Sequence, residues 1–263
     1  MNNTIRRLAY GPWLGLGLIL LILLLWEVSA TLKWISPLSL PKVSDVAITL
    51  FELVKSGELP RELAASLWRM FVGYFIGVLL GIAVGLLMGA FRPAYKLLEP
   101  VTEILRPIPS PAYVPVAILF LGIDNEMKIF MVAFSAFFPV LLNTYSGVRG
   151  VDPVQLQTAG TFGVKGVRRL WEVVLPAAAP SIFTGMRISL AVALIVMVIS
   201  EMVAASDGIG YFILAAQRGF KVQAMFAGIV TLAVVGYALN RVFLMIENRV
   251  LAWHHGAMQQ SKN

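Results

Sequence analysis

The sequence predicts an all-α integral membrane protein with about six transmembrane helices. Apolar residues make up 59% of the 263 positions, charged residues only 13%, and the mean hydropathy is +0.82. A soluble domain of this length carries far more surface charge. The apolar residues also fall into several runs of about 20 residues, the length that a helix needs to cross a bilayer. Lipid offers no partner for free backbone N–H and C=O groups, so these runs are expected to be helical.

The first apolar run covers residues 12–26 and follows Arg6 and Arg7. With the small residues at 28–30 behind it, this run has the shape of a cleavable signal peptide. Its length and the later spans favour a retained first helix. Residues 31–63 are mixed in polarity and are expected to lie outside the membrane. They contain one short helix around Val43–Lys55, bounded by the breakers Pro37, Pro41 and Pro60.

Span two covers residues 64–91 and carries a glycine at every fourth position. A step of four residues turns a helix by about 400°, so these glycines form one continuous, slowly drifting groove. Small residues at this spacing let a second helix approach the backbone closely. We therefore expect helix packing rather than a substrate groove at Gly73, Gly77, Gly81, Gly85 and Gly89.

Span three covers residues 97–121 and is rich in proline. Each proline removes a helical hydrogen bond, so the span is expected to be broken or kinked. Broken helices at membrane depth occur where they are buried in protein or line a cavity. A pathway lining and a simple interfacial kink both remain open for the segment with Pro100, Pro107, Pro109, Pro111 and Pro115.

Spans four, five and six are predicted at residues 127–147, 181–205 and 223–246. With the links between them, six helices account for residues 1–263 as one transmembrane domain. Lysine and arginine concentrate at one set of span ends, while the turn 122–126 holds Asp124 and Glu126 and no base. The positive-inside rule then predicts both termini in the cytoplasm.

Composition also narrows the function. The net charge of +7 comes from scattered bases that suit lipid headgroups, and no basic patch with interleaved aromatics indicates nucleic-acid binding. The absence of cysteine removes disulfides and thiolate chemistry. His254 and His255 are expected to belong to a solvated tail, because a metal site needs further ligands at matched spacing. Neither a metal site nor catalytic residues are predicted.

Residues 152–176 are predicted as a short helix, a glycine turn and a second helix ending at proline, on the cytoplasmic side. Here the sequence resembles the importer-type ABC permease family, whose cytoplasmic loop reads Glu-Ala-Ala, three residues, Gly, nine residues, Ile, one residue, Leu-Pro. Gln, Thr and Val replace Glu, the first Ala and Ile in this chain, but every spacing is kept. The matching residues are Gln157, Thr158, Ala159, Gly163, Val173, Leu175 and Pro176.

Further patches resemble the nitrate, sulfonate and taurine branch of that family, over residues 64–251 in all. They lie at 106–109, 121–123, 138–139, 143–144, 147–149, 151–153, 200–201 and 208–211. The resemblance implies a type I ABC importer permease-like fold in the bacterial inner membrane, with 157–176 as a cytoplasmic coupling loop. It also implies a small cargo, such as a sulfonate, taurine or nitrate, with riboflavin, a thiamine precursor or an aromatic acid as alternatives.

The resemblance further implies a set of partners. These are an ABC ATPase in two copies, a second permease chain that is identical or paralogous, and an extracytoplasmic solute-binding protein. No Gly-x-x-x-x-Gly-Lys-Ser/Thr motif occurs in the chain, so ATP and Mg²⁺ are expected on the ATPase and no cofactor on this subunit. An apolar face on the loop, from Leu156, Phe162, Val164 and Val167, would dock on the ATPase.

Ionisable residues inside spans are costly and are candidates for function. Arg106, Arg187 and Glu201 are candidates for the translocation pathway, with structural pairing as the alternative reading. Glu27 is expected to snorkel from the outer end of span one.

Two other functional classes predict sequence features that can be looked for in this chain. An ion-coupled secondary transporter predicts two related halves, and the sequence shows none. An intramembrane enzyme predicts paired catalytic groups, yet the spans contain no histidine. A transport subunit without chemistry of its own fits best.

Overall fold

The computed structural model describes residues 12–36 and 38–253, and this part of the chain is helical with no strand. The predicted all-α membrane fold is confirmed, with five helices long and apolar enough to span, and a pair of shorter helices that meet at a sharp bend and reach that length only when counted together. Arg6, Arg7, His254 and His255 lie outside the described residues. The helices are α1 (Pro12–Thr31), α2 (Val43–Lys55), α3 (Glu58–Ala90), α4 (Arg92–Leu105), α5 (Val114–Leu121), α6 (Asn125–Arg149), α7 (Pro153–Thr161), α8 (Gly166–Arg169), α9 (Leu175–Ala204), α10 (Ile209–Arg218) and α11 (Val222–Val250).

The described residues form two compact units, one made of 12–36, 38–61 and 212–231 and the other of 62–211 and 232–253. In the first unit, Glu27 has a protein partner at the start of α2. Its carboxylate accepts hydrogen bonds from the backbone N–H and the hydroxyl of Ser44, at 3.2 and 2.9 Å. Because the first N–H groups of a helix have no partner within it, Glu27 caps α2 from another helix. The Trp26 indole donates to the Pro41 carbonyl 2.9 Å away and fixes the same approach.

Helix α3 begins at Glu58, six residues before the predicted start of span two at 64. The expectation that Pro60 breaks the chain is therefore wrong. Pro60 lies in the first turn of α3, where the N–H that proline lacks would have no helical partner anyway.

In the second unit, the glycine stripe of α3 lies directly against α6. A Cβ built on each glycine would meet α6 atoms at 2.4–2.9 Å, at the backbone or at a side chain. The α6 side chain that each Cβ would meet lies 59 positions after its glycine, as Gly73 with Val132 and Gly89 with Val148 show, and the α6 backbone oxygens met at the first four glycines lie 56 positions after them. A constant difference in residue number means that α3 and α6 run in the same direction. Dispersion at this close approach is what holds helices together in lipid.

Helix α9 packs against α6 in the opposite direction. A Cβ on Gly147 would meet Ser181, and one on Gly185 would meet Asn143, so the residue numbers fall on one helix as they rise on the other. Buried apolar residues fill this contact near both ends of α6. One cluster contains Met127, Met131 and Val196, and the other Val148, Val151, Val174, Ala178 and Ile182.

Predicted span three is broken, as its prolines indicated. α4 and the segment Ser110–Leu121 are bent by 91° to each other. Pro107 and Pro109 lie in the break, whereas Pro100 remains inside α4 and Pro115 lies in the first turn of α5. Only the prolines between the two helices remove hydrogen bonds that would have joined them.

The helix around predicted span five is longer than expected. Residues Gly166–Ala204 form one helical segment of 39 residues, in which a π-helical turn, Leu170–Val174, joins α8 to α9. The prediction that the second loop helix ends at Pro176 is therefore wrong. Pro176 lies just after the π turn, and the wider i→i+5 winding there accommodates a residue without an N–H.

Candidate functional site

The loop between α6 and α8 is built around a short helix with defined ends. Asp152 is the N-cap of α7, and its Oδ1 accepts a hydrogen bond of 2.8 Å from the Val154 N–H. Pro153 occupies the first helical position, where its fixed φ is favourable. The helix ends before Gly163, which has φ +76°, and the Val164 N–H returns to the Ala159 carbonyl at 2.9 Å. A left-handed residue just past a helix is most easily a glycine.

One side of this loop is fixed to the membrane helices. Ala159 is buried, and Leu156 packs on the cluster of Val148, Val151 and Val174 at the ends of α6 and α9. Val173 and Leu175 are half-buried in the π turn and at the start of α9. The inner side of the loop therefore moves with the two helices that flank it.

The other side of the loop is an exposed surface. Gln157, Thr158, Gly163 and Pro176 are all exposed there. Phe162 is 80% exposed and Trp171 is 62% exposed, although both side chains are large and aromatic. Val154 and Val167 are exposed as well. Exposed apolar residues concentrated on one polar loop indicate a contact with another molecule.

The face that the sequence predicted for docking is only partly correct. Phe162 and Val167 point outward as expected, but Leu156 packs inward and Val164 is half-buried. Trp171 also belongs to the exposed face and was not predicted from the sequence, although a large aromatic side chain within a basic stretch was a signal for it. A groove of about 680 Å³ beside α7 is lined by residues of the loop and by Trp253.

Two of the three predicted pathway residues form pairs within the chain. The Arg106 guanidinium lies 3.2 Å from the Glu103 carboxylate in an exposed pair one helical turn apart. Arg187 lies 3.8 Å from Glu247 on α11. Both arginines thus have a carboxylate partner, and Arg187 also lines a cavity with residues of α9 and α11 such as Leu190 and Leu239.

Glu201 belongs to a buried charge cluster at the other end of α9. Its carboxylate accepts a hydrogen bond of 3.0 Å from Arg69 of α3 and a bifurcated one from the Ser66 hydroxyl, whose oxygen lies 2.9 and 2.7 Å from the two carboxylate oxygens. The Gly210 N–H donates to it at 3.0 Å. The Arg69 side chain also donates to Asn125 at 2.6 Å and to Asp207 at 2.6 Å. The cluster ties the third and fourth turns of α3 and the first residue of α6 to the end of α9.

Burial explains why the charged groups of this cluster are paired. The Glu201 side chain is 0% exposed, and an unpaired charge at such a position is strongly destabilising. Gly208, with φ +105°, lets the backbone pass so close to Glu201 that a Cβ there would lie 2.4 Å from the carboxyl carbon. The Gly208 N–H donates to Glu62 at 2.6 Å.

Sequence reasoning identified Glu201 but missed its partners. Arg69 lies inside predicted span two and Lys128 inside predicted span four, so both carried the signal of a charge in an apolar run. The Lys128 ammonium is buried and donates to the carbonyls of Ile123 and Asp124, at 2.9 and 3.3 Å. The arrangement supports structural clamping of helix ends, because the charged groups of Arg69 and Glu201 are satisfied by protein atoms.

Comparison with known proteins agrees with this architecture. Residues 77–252 match the family described as binding-protein-dependent transport system inner membrane component. The chain is 36% identical to the putative aliphatic sulfonates transport permease protein SsuC of Bacillus subtilis, over 95% of this chain and 90% of that protein. It is 33% identical to the taurine transport system permease protein TauC of Escherichia coli, over 92% and 90%. The nitrate import permease protein NrtB of Leptolyngbya laminosa is 30% identical, over 72% and 68%.

A solved structure shares the fold. The inward-facing MetNI methionine ABC transporter matches with a TM-score of 0.64 at 19% identity, over 73% of this chain and 95% of that chain. The predicted type I importer-like fold and the predicted transport role, rather than an enzymatic one, are confirmed by these relatives. This chain is therefore a multi-pass permease of the binding-protein-dependent ABC importer family, in its sulfonate, taurine and nitrate branch.

Proposed function

We propose that this permease carries a small anion inward by alternating access, driven by ATP hydrolysis on a separate ATPase. The relatives are named for aliphatic sulfonates, taurine and nitrate, and each of these cargoes carries an anionic group. A vitamin-like or aromatic-acid cargo is the alternative. The single observation that carries the ATP-driven mechanism is the loop 150–176, fixed to the spans on one side and apolar and exposed on the other.

The loop is connected to two membrane helices, so a displacement of its exposed side can be transmitted to both. α8, the π turn and α9 form one helical segment, so a displacement of the exposed Val167 or Trp171 is transmitted along Gly166–Ala204. α7 would pass the same displacement to α6 through Leu156, which packs on the cluster that contains Val148 of α6. An ATPase that binds ATP more tightly in its closed state would drive both spans through this loop, because only a difference in affinity between states shifts an equilibrium.

The proposal includes an assembly and an orientation. Two ATPase copies, which hold ATP and Mg²⁺, contact the loop from the cytoplasm. A second permease chain, identical or paralogous, completes the pathway, and an extracytoplasmic binding protein delivers the cargo. Both termini lie in the cytoplasm, in agreement with the basic residues near the inner span ends.

Replacement of Gly163 tests the coupling. A β-branched residue is disfavoured at φ +76° by about 1–2 kcal/mol, so Gly163→Val should distort the end of α7. No atom lies within 4 Å of the added Cβ, which leaves backbone conformation as the cause. We expect uptake in reconstituted vesicles to fall roughly fivefold or more while ATP hydrolysis by the complex continues.

Two matched variants control this experiment. Gly163→Asn accepts the left-handed conformation and should retain uptake. Gly160→Val adds the same side chain three positions earlier, also with no atom within 4 Å but without positive φ, and should behave like the unmodified chain. Full coupled uptake by Gly163→Val would contradict the coupling role of this loop.

The anion proposal has its own test. The purified complex in vesicles, with its binding protein and internal ATP, should accumulate labelled taurine, an alkanesulfonate or nitrate. ATP-dependent accumulation of riboflavin or an aromatic acid, with none of the three anions, would contradict the proposed substrate class and leave the transport mechanism intact.

A further inference from the structure

The chain between α3 and α6 has to cross the membrane, and the structure shows how. Since α3 and α6 run in the same direction, the chain leaves α3 on one side of the bilayer and enters α6 on the other. Only α4, α5 and their links are available for this return. A re-entrant loop that comes back to its starting side is excluded by this geometry.

The two helices cannot share the crossing, because they are bent by 91°. α5 takes the direction of the spans: Val114 and Ala117 pack on Met127 and Met131 of α6, and Tyr113 meets Phe134 at a ring distance of 4.8 Å. At about 1.5 Å per residue, the 12 residues Ser110–Leu121 cover roughly 18 Å. The link 106–109 begins with a turn, in which the Ile108 N–H donates to the Leu105 carbonyl at 3.3 Å, so it adds less than the roughly 13 Å of four extended residues to a crossing of about 30 Å. α4 is then left to lie across the direction of the spans.

The depth of α4 is marked by a tyrosine pair. Tyr95 stacks on Tyr145 with ring centroids 5.1 Å apart and 10° between the planes. Tyr145 lies one turn before Arg149, the last residue of α6, on the same side of the molecule as the loop 150–176. Tyrosine is enriched at the boundary between acyl chains and headgroups. α4 therefore begins at the cytoplasmic boundary of the predicted topology.

The exposed surface of α4 is divided into two faces. Leu97 is 74% exposed and Ile104 is 69% exposed, and with the exposed Val101 they fall within about 60° of each other on the helix. The opposite face carries exposed charges, which lie at Arg92, Lys96, Glu103 and Arg106. A helix with one apolar and one charged exposed face, lying across the spans, has the form of an interfacial helix.

The charges are also distributed in the way that a cytoplasmic leaflet favours. At the carboxyl end, Arg106 pairs with Glu103. At the amino end, Arg92 and Lys96 have no ion pair among the described residues. The nearby Glu99 carboxylate instead accepts a hydrogen bond from the Tyr95 hydroxyl. The unpaired positive end lies where anionic lipid headgroups are found, and such groups attract lysine and arginine near the surface.

We propose that α4 is an interfacial helix that lies in the cytoplasmic leaflet, with Leu97, Val101 and Ile104 in the acyl region and Arg92 and Lys96 among the headgroups. The chain thus has five long spans and a sixth crossing made by α5 and its link alone. This proposal does not depend on the cargo or on ATP coupling, and its failure would leave both untouched.

Site-directed spin labelling tests the depth of α4, because the chain has no cysteine of its own. Leu97→Cys and Ile104→Cys probe the apolar face, and Lys96→Cys and Glu103→Cys probe the charged face. Each variant, assembled with its ATPase in phosphatidylcholine–phosphatidylglycerol vesicles, is labelled with a nitroxide and measured for collision with oxygen and with a water-soluble nickel chelate. All four positions are exposed, so the labels should be tolerated.

An interfacial α4 predicts that positions 97 and 104 lie at equal depth, about 5–10 Å below the headgroups. Positions 96 and 103 should instead collide with the nickel chelate. A helix along the membrane normal would separate positions 97 and 104 by about 10 Å in depth, and that result would overturn the proposal. Nickel access on both faces would overturn it too. So would immobile labels at 97 and 104 with dipolar coupling between chains, which would assign this face to a second permease copy.

Discussion

The glycine contact between α3 and α6 allows a stability prediction that can be worked from distances. In the Gly77→Ala variant, the new Cβ would lie 2.4 Å from the Ala133 carbonyl oxygen and 3.0 Å from the Ala136 Cβ. A Cβ atom essentially never lies within 3.0 Å of a non-bonded heavy atom, so the two helices must separate locally by at least 0.6 Å, the difference between 3.0 and 2.4. Neither the carbonyl nor a methyl group can rotate away.

The cost of this separation can be isolated by a matched control. Overpacking of a well-packed contact costs typically 1–3 kcal/mol. Alanine in place of glycine within a helix returns about 1 kcal/mol of helix propensity. Gly17→Ala in α1 makes the same chemical change with no atom within 4 Å of the new Cβ, so it gains the propensity without the clash. The difference between the two variants is therefore the packing cost, roughly 1–3 kcal/mol.

Thermal unfolding in mild detergent, followed by tryptophan fluorescence, measures this difference. For a chain of this size about 1 kcal/mol corresponds to roughly 2–4 °C, so Gly77→Ala should melt some 2–12 °C below Gly17→Ala. Equal melting temperatures would refute the claim that the glycine stripe is a tight helix contact. A stable Gly77→Ala chain with an altered cargo would instead assign the stripe to substrate.

Three further predictions test the pairs described above. Arg69→Met leaves the buried Glu201 without its cationic partner and should lower the free energy of unfolding by about 3–5 kcal/mol. Asp207→Asn, at a side chain 49% exposed, should lower it by about 1 kcal/mol or less. Equal losses of stability in thermal unfolding would contradict a buried clamp. Glu27→Ala removes the cap of α2 and should speed hydrogen exchange of its first amides several-fold. Unchanged exchange would speak against capping. Arg187→Gln breaks only a long, part-exposed pair of 3.8 Å and should alter stability by less than about 1 kcal/mol, and a larger loss would indicate a role beyond that pair.

Local patterns in the sequence specified much of this fold. Glycine at every fourth position of span two identified one face of α3 as a contact face, because that periodicity belongs to a single helix. The short helix Val43–Lys55 was predicted with its observed bounds, since Pro41 precedes it and a glycine follows. The spacing of the loop residues from Gln157 to Pro176 identified the segment that the structure shows exposed on one side and anchored on the other.

Other features depend on contacts between distant residues. Arg69 and Glu201 are separated by 132 positions, and no periodicity in either helix shows that they meet. The partner of Glu27 is a helix terminus across a loop, which a reading of span one alone cannot supply. The continuation of the helix through Pro176 depends on a π turn, whose wider winding has no simple sequence pattern. The exposed apolar face of the loop was predicted only in part, because Leu156 packs inward on residues of two other helices.

A crosslink at Phe162 tests the central claim most directly, because the claim is that the exposed side of the loop contacts an ATPase in the cytoplasm. The chain lacks cysteine, so Phe162→Cys introduces one thiol, and Leu119→Cys, equally exposed on α5, provides the control. In native membranes the thiol at position 162 should crosslink to the ATPase subunit, with a yield that changes on addition of ATP, and the thiol at position 119 should not. Labelling of position 162 by a membrane-impermeant maleimide from outside intact cells, or no crosslink to the ATPase in an active complex, would contradict the account.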